Sequence, residues 1–106
     1  MKAPIYAILF GHIERVAMRF GWALALHGSM QRDMDIVLMP WTEDAEPDHL
    51  VVINAIKKAY EGFKDEKLLA TKKPHGRIGY TIMLDYGTHY IDISVIDTRL
   101  KEATDD

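Results

Sequence analysis

Residues 24 to 41 read LALHGSMQRDMDIVLMPW. An apolar run ends in Gly28-Ser29, two aspartates follow one residue apart, and a second apolar run is stopped by Pro40. A turn needs one aspartate at most. Two of them opening an apolar strand ask for another reason. In an extended chain, residues two apart leave the same face. A strand over 33–39 therefore presents the carboxylates of Asp33 and Asp35 together. Gly28 has access to backbone angles closed to other residues and lets a ligand approach the main chain. Ser29 adds a hydroxyl, and successive N–H groups in such a turn can form an anion-binding nest.

A third acid stands near the C-terminus, in Tyr90-Ile-Asp-Ile-Ser-Val-Ile96. Alternation places Tyr90, Asp92 and Ser94 on one face and Ile91, Ile93 and Val95 on the other. An aspartate between isoleucines is poor strand chemistry. If this strand lies beside 33–39, Asp92 joins Asp33 and Asp35. Three carboxylates that close raise one another's pKa unless a cation stands between them. Magnesium suits them, because it takes hard oxygen ligands and shares its shell with substrate phosphates; manganese is the natural substitute. The plainer alternative has Asp33 as a turn residue, Asp35 paired with Arg32 or Arg77, and Asp92 facing solvent.

Outward from this centre, Pro4 opens a first helix. Ile5, Ile8, Leu9, His12, Val16 and Phe20 recur at helical spacing until Gly21 ends it. WALALHG reads as a strand. Asp44, Glu46 and Pro47 are start signals for a second helix, with Leu50, Ile53, Ile56, Tyr60 and Phe63 as its buried stripe. Residues 64–76 are polar and give no clean periodicity. RIGYTIMLDY and THYIDISVI read as two strands in a hairpin around Tyr86-Gly87-Thr88. Trp41 is expected to cap the core. The order α-β-β-α-β-β predicts an α+β fold: a small, mostly antiparallel or mixed four-stranded sheet packed against two helices. The ordered core is expected over about 4–99, with a frayed, charged tail.

With 106 residues the chain fits one domain. It is 48% hydrophobic and 27% charged, with a net charge of −3, so no bulk field favours nucleic acid or an anionic membrane. The absence of cysteine excludes disulfides and thiolate chemistry. The apolar run at the N-terminus is broken by His12, Glu14 and Arg15, which does not suit a signal peptide. Nothing approaches the ~20 apolar residues of a membrane span. A soluble, cytoplasmic protein is expected. Lys72, Lys73, His75 and Arg77 form the only basic cluster, suited to neutralising a triphosphate with Arg77 able to grip it in bidentate fashion. The five histidines form no HxxxH or HxH pair, so a histidine zinc site is not expected. His27 and His75 are the better site candidates among them.

The elements Leu26-His27-Gly28-Ser29, Asp33-Met34-Asp35-Ile36 and Tyr90-Ile91-Asp92-Ile93 together resemble the signature of the nucleotidyltransferase superfamily, the polymerase-beta-like fold. The resemblance implies a single nucleotidyltransferase-like domain over 1–106. It implies a phosphate-holding turn at Gly28 and Ser29, beside which the basic cluster, read from its charge alone, offers Lys73, His75 and Arg77 as further phosphate ligands. Magnesium or manganese would sit on Asp33, Asp35 and Asp92, the last also activating the acceptor hydroxyl. The implied reaction transfers a nucleotidyl group from a nucleoside triphosphate to an acceptor, with protein and RNA both open. The chain as a whole also resembles a small family of phage and prophage proteins without an assigned role, which implies the bacterial host cytosol. Two other functions stay open: an inactive phage accessory or interaction protein on the same fold, and a metal-dependent nuclease or phosphohydrolase.

Overall fold

The structure, a computed structural model, describes residues 3–28, 33–59, 67–72, 78–84 and 89–99. Helix α1 (Ala3–Arg19) leads into strands β1 (Trp22–His27) and β2 (Met34–Pro40). Helix α2 (His49–Lys58) follows, then β3 (Lys67–Lys72), β4 (Ile78–Leu84) and β5 (His89–Val95). The strands form one sheet in the order β1-β2-β5-β4-β3. Every pairing is antiparallel except β2 with β5, which is parallel. The architecture is the expected α+β one, with two helices and a mixed sheet. To the four expected strands it adds β3, at one edge, within the polar stretch that showed no periodicity. KLLATK is short and carries lysine at both ends. Charged ends on a short edge strand are a common guard against unwanted pairing.

One face of the sheet is apolar and buried: Met34, Ile36 and Leu38 from β2, Tyr80 and Ile82 from β4, and Ile91, Ile93 and Val95 from β5. From the helices, Tyr6, Leu9, Ile13 and Ala17 and then Val52, Ile53 and Ile56 complete this core. The buried stripe of α1 is thus rotated by about one residue from the expected one, roughly 100° around the axis. Leu9 is buried as expected, and Val16 and Phe20 pack against the core. Ile8 is 66% exposed and His12 is also exposed. The rotation follows Tyr6, whose hydroxyl is carried across the core to accept a hydrogen bond from the backbone N–H of Tyr90 at 3.0 Å.

Helix α2 begins later than the acidic loop suggested. Its N-cap is Asp48, whose Oδ1 accepts from Leu50 N at 2.9 Å and so satisfies one of the free N–H groups of the first turn. Glu46 contributes indirectly, its carboxylate accepting from Asp48 N at 3.0 Å. Leu50 lies on the exposed side, whereas Ile53 and Ile56 are buried. Tyr60, Phe63, the 86–88 hairpin turn and the C-terminal tail lie outside the described residues.

Trp22, not Trp41, is the core tryptophan: they are 1% and 75% exposed. Trp41 follows Pro40 out of the sheet, while Trp22 opens β1 and points inward. Around Trp22 the chain is clamped. Its indole N–H donates to the Glu46 carbonyl at 3.0 Å, and the Arg99 guanidinium lies over the ring, 5.1 Å from its centroid. Arg99 also donates to the Ala45 and Glu46 carbonyls, each at 3.1 Å, and to both carboxylate oxygens of Asp97 at 2.9 Å. Gly21 lets this end close. Its φ is +78°, and a Cβ there would run into Thr42 and the Ala45 backbone.

The Arg99 side chain holds the Asp97 carboxyl below its usual range, against the opposing effect of burial, with the Arg99 backbone N–H assisting. A carboxyl with a depressed folded pKa contributes stability above its unfolded value, about 3.9, and loses it as pH falls through the folded value. Asp97→Asn is therefore expected to lower the melting temperature at pH 7 by about 5 °C. The gap to wild type should close as the pH falls below about 4, as followed by circular dichroism.

Candidate active site on the open face of the sheet

The register of the strands decides what the open face carries. Asp35 pairs with Asp92 across the parallel β2–β5 ladder. His27 pairs with Asp35 on one side, and Thr81 with Asp92 on the other. One lateral row therefore crosses β1, β2, β5 and β4 as His27, Asp35, Asp92 and Thr81. Paired neighbours leave the same face of a sheet, so all four project from the side opposite the helices. The buried row beside it, Ile36 with Ile93 and Tyr80, faces the core.

Asp35 and Asp92 are close enough for their carboxyls to share a hydrogen bond. The Asp35 carboxyl is pushed above the usual range, by burial first, then by the charges of Asp92 and Asp33 and by that hydrogen bond; His27 works in the other direction. Asp33 lies immediately before β2 and acts on this pair through its charge. Thr81 Oγ1 donates to Asp92 Oδ1 at 2.6 Å. Gly28 turns the chain at the end of β1 with φ +86°, and a Cβ there would stand 3.3 Å from Asp35 Oδ2. The main chain thus passes beside the acid with no side chain between. Tyr6 reaches the same region from beneath. Burial raises its phenol pKa, the Tyr90 N–H bond opposes this, and the charges of Asp33 and Asp92 raise it further.

Among the described residues, no three His, Cys, Asp or Glu side chains are grouped so as to hold a metal ion. The three-carboxylate cluster expected from the sequence is here an adjacent pair, Asp35 and Asp92, with Asp33 within electrostatic range. The physical reason is position. Asp33 precedes the ladder, whereas Asp35 and Asp92 are locked side by side within it. The pair still fits magnesium, which commonly takes one or two carboxylates and fills its shell with water and phosphate oxygens. Ser29, Lys73, His75 and Arg77, the expected phosphate ligands, lie outside the described residues. Thr81 and Tyr6 carried no signal of their own in the sequence. Thr81 enters through register alone, and Tyr6 through the rotation of α1.

A hollow of about 320 Å³ opens away from these groups, between the end of α1 and the loop that follows β2, and includes Arg19, Thr42, Asp44 and Glu46 in its lining. Thr42 already bonds Asp44 there at 2.7 Å. No helix among the described residues is long and apolar enough to cross a membrane.

With this geometry in hand, the likeness to solved structures has a clear meaning. Over 86% of its length the chain is similar to the polymerase core of TRAMP, an RNA surveillance complex, with a TM-score of 0.55 and 12% identity. It is similar over the same share to a chain of the GLD-2/RNP-8 complex, with a TM-score of 0.52 and 23% identity. The chain spans 30% of the length of each. At these identities the likeness is one of fold: the two-helix, mixed-sheet architecture described above is shared with part of each of these chains. No family model matches the chain, nor does any curated protein, so the likeness to phage and prophage proteins gains no support from these comparisons.

Asp35 ionises at a cost in the folded protein, because its pKa there is raised. Its contribution to stability is full below the unfolded value and falls as pH rises through the folded one. In metal-free buffer at pH 7, Asp35→Asn should therefore melt higher than wild type, by about 2–6 °C. The advantage should shrink on acidification toward pH 4. Equal melting temperatures at pH 7 would show that ionising Asp35 carries no penalty in the folded protein.

Proposed function

We propose that this chain is a nucleotide-binding unit of nucleotidyltransferase type, taking a nucleoside triphosphate together with magnesium or manganese. The observation that carries the reading is the in-register placement of Asp35 beside Asp92, next to the bare backbone of Gly28, on a sheet of nucleotidyltransferase type. Asp35 and Asp92 would hold the ion, with Asp33 joining when the charge of a cation replaces mutual repulsion. Gly28 and Ser29 would receive the terminal phosphates, and Lys73, His75 and Arg77 would balance their charge.

In the reaction proposed, an acceptor hydroxyl oxygen forms a bond to the α-phosphorus as the bond to the β-phosphate bridging oxygen breaks. Pyrophosphate would leave and the hydroxyl proton would pass to a carboxylate, a role we assign to Asp92. An ion held by Asp35 and Asp92 would supply charge stabilisation to the reaction. An RNA 3′-hydroxyl is the acceptor to test first, since one structural neighbour is the polymerase core of an RNA surveillance complex; a protein hydroxyl is the alternative. The net charge of −3 argues against a broad electrostatic grip on RNA.

A second reading, a nucleotide-binding or interaction module without transfer activity, is favoured by one observation: among the described residues no group of three potential metal ligands forms beside the paired Asp35 and Asp92. A nuclease or phosphohydrolase would use the same acids.

Thermal shift with each nucleoside triphosphate and manganese tests the binding, and product analysis separates the activities. Wild type is expected to gain several degrees with nucleotide and metal together, and Asp35→Asn and Asp92→Asn to gain none. Pyrophosphate release with an extended acceptor identifies transfer, inorganic phosphate identifies hydrolysis, and a shift without product identifies the module. Equal shifts in wild type and both variants would remove the site altogether.

A further inference from the structure

We propose that Thr81 is a positioning residue for Asp92, its hydroxyl setting the orientation in which that carboxylate meets a divalent cation. The inference rests on the nucleotidyltransferase reading above and assigns a role to a residue outside the expected signature.

Asp92 stands in the row between two unlike neighbours. On the β2 side is Asp35, of like charge; on the β4 side is Thr81, a donor. Adjacent strands lie about 4.8 Å apart, so a carboxylate in the middle strand reaches either neighbour by rotation about its side-chain bonds. Repulsion from Asp35 alone would favour turning Asp92 out of the row toward water. The Thr81 bond opposes this. It fixes Oδ1 at 2.6 Å on the β4 side, so that the rest of the carboxylate meets Asp35 from a set orientation. A carboxylate so held keeps its plane across the row, and the two acids can offer oxygens to one ion between them.

Threonine suits this task better than serine or asparagine. Its branched Cβ is stiff about χ1 and favours a strand, so little orienting entropy is lost when the hydroxyl is aimed. It carries one donor hydrogen, and Asp92 takes it. The hydroxyl thus acts on a ligand residue without touching the ion. Outer partners of this kind typically change metal affinity about 10–100-fold when removed.

The test compares Thr81→Val, which keeps the shape and removes the hydroxyl, with Thr81→Ser, which keeps the hydroxyl, in the full chain. Manganese is the probe, titrated without nucleotide and read by water-proton relaxation; the rotamer of Asp92 is read in metal-free protein from its Hα–Hβ couplings by NMR. Thr81→Val should weaken manganese binding about tenfold and average the Asp92 couplings over several rotamers. Thr81→Ser should stay within about twofold of wild type, with one rotamer, because the donor is retained. The metal-free melting temperature of Thr81→Val should stay within about 3 °C of wild type, since valine is at least as good a strand residue. Should that variant fail to fold, Thr81→Ala enters the same comparison.

Unchanged manganese affinity in Thr81→Val, or a single Asp92 rotamer in both proteins, overturns the inference while leaving the functional reading intact. Equal impairment in Thr81→Ser overturns it as well, by showing that packing and not the hydroxyl is at work. A wild type with no saturable manganese site sinks the functional reading, and this inference with it.

Discussion

The parallel pairing of β2 with β5 is the constraint on which the rest of the molecule depends. It is the one parallel ladder in a sheet otherwise built of antiparallel neighbours. Strands that run the same way need a long crossover, and here α2, β3 and β4 occupy it. The ladder matches Asp35 with Asp92 and, one step further, Ile36 with Ile93. A slip by one residue would turn Ile91, Ile93 and Val95 toward solvent and bury Asp92 in their place. Each such exposure costs about 1.5–3 kcal/mol, and burying an unpaired carboxylate costs more still. The apolar face therefore enforces the register, and the register delivers the acids. Ile96 N donates to Leu38 O at 2.9 Å and carries the ladder past the end of β5.

Given that register, the electrostatics of the open face follow from who stands next to whom. The register of the backbone sets two carboxylate-bearing residues side by side on adjacent strands. Each has a different partner on its outer side, His27 for Asp35 and Thr81 for Asp92. From the core side, Tyr6 accepts the N–H of Tyr90. β2 begins at Met34, the partner of Ile91, so Tyr90 sits one residue beyond the ladder. The tyrosine hydroxyl stands where a further strand carbonyl would otherwise be needed. The first helix is thereby tied to the strand that carries Asp92.

The parts of the fold that could be read from the sequence are those in which a short pattern reports its own surroundings. Alternation in YIDISVI separated Asp92 from Ile91 and Ile93 correctly, and Asp33-x-Asp35 at the head of an apolar run marked β2. That the strands bearing Asp35 and Asp92 should be neighbours could be stated only as a condition, because register is a long-range property. Thr81 was invisible for that reason: nothing in RIGYTIM distinguishes it until Asp92 stands opposite. The α1 stripe was misplaced because apolar residues lie nearly all around the helix, and Tyr6 counts as core only once its hydroxyl has a partner. β3 was missed because KLLATK is too short and too polar at its ends to show a period. The tryptophans exchanged places because proline before Trp41 directs the chain outward, while Trp22 lies beneath a loop and an arginine far along the sequence.

These assignments leave the molecule divided along its strands. At the end where β1 begins and β2 and β5 finish, Trp22 is enclosed by Arg99, Asp97 and the 42–48 loop, with bonds across more than 50 residues of chain. Toward the other end the same strands carry Asp35, Asp92, Gly28 and His27, where like charges meet and one backbone turn lies in the left-handed region. A domain of this size has only about 5–15 kcal/mol of net stability, so repulsion within the row must be offset elsewhere. The clamp offsets it at a distance, through strands shared by both ends. Dispersing the acids would relieve the repulsion locally but would also undo the side-by-side placement of Asp35 and Asp92 that the register imposes. Repulsion between Asp35 and Asp92 on one half of the shared strands and tight packing around Trp22 on the other are thus parts of one balance across the sheet.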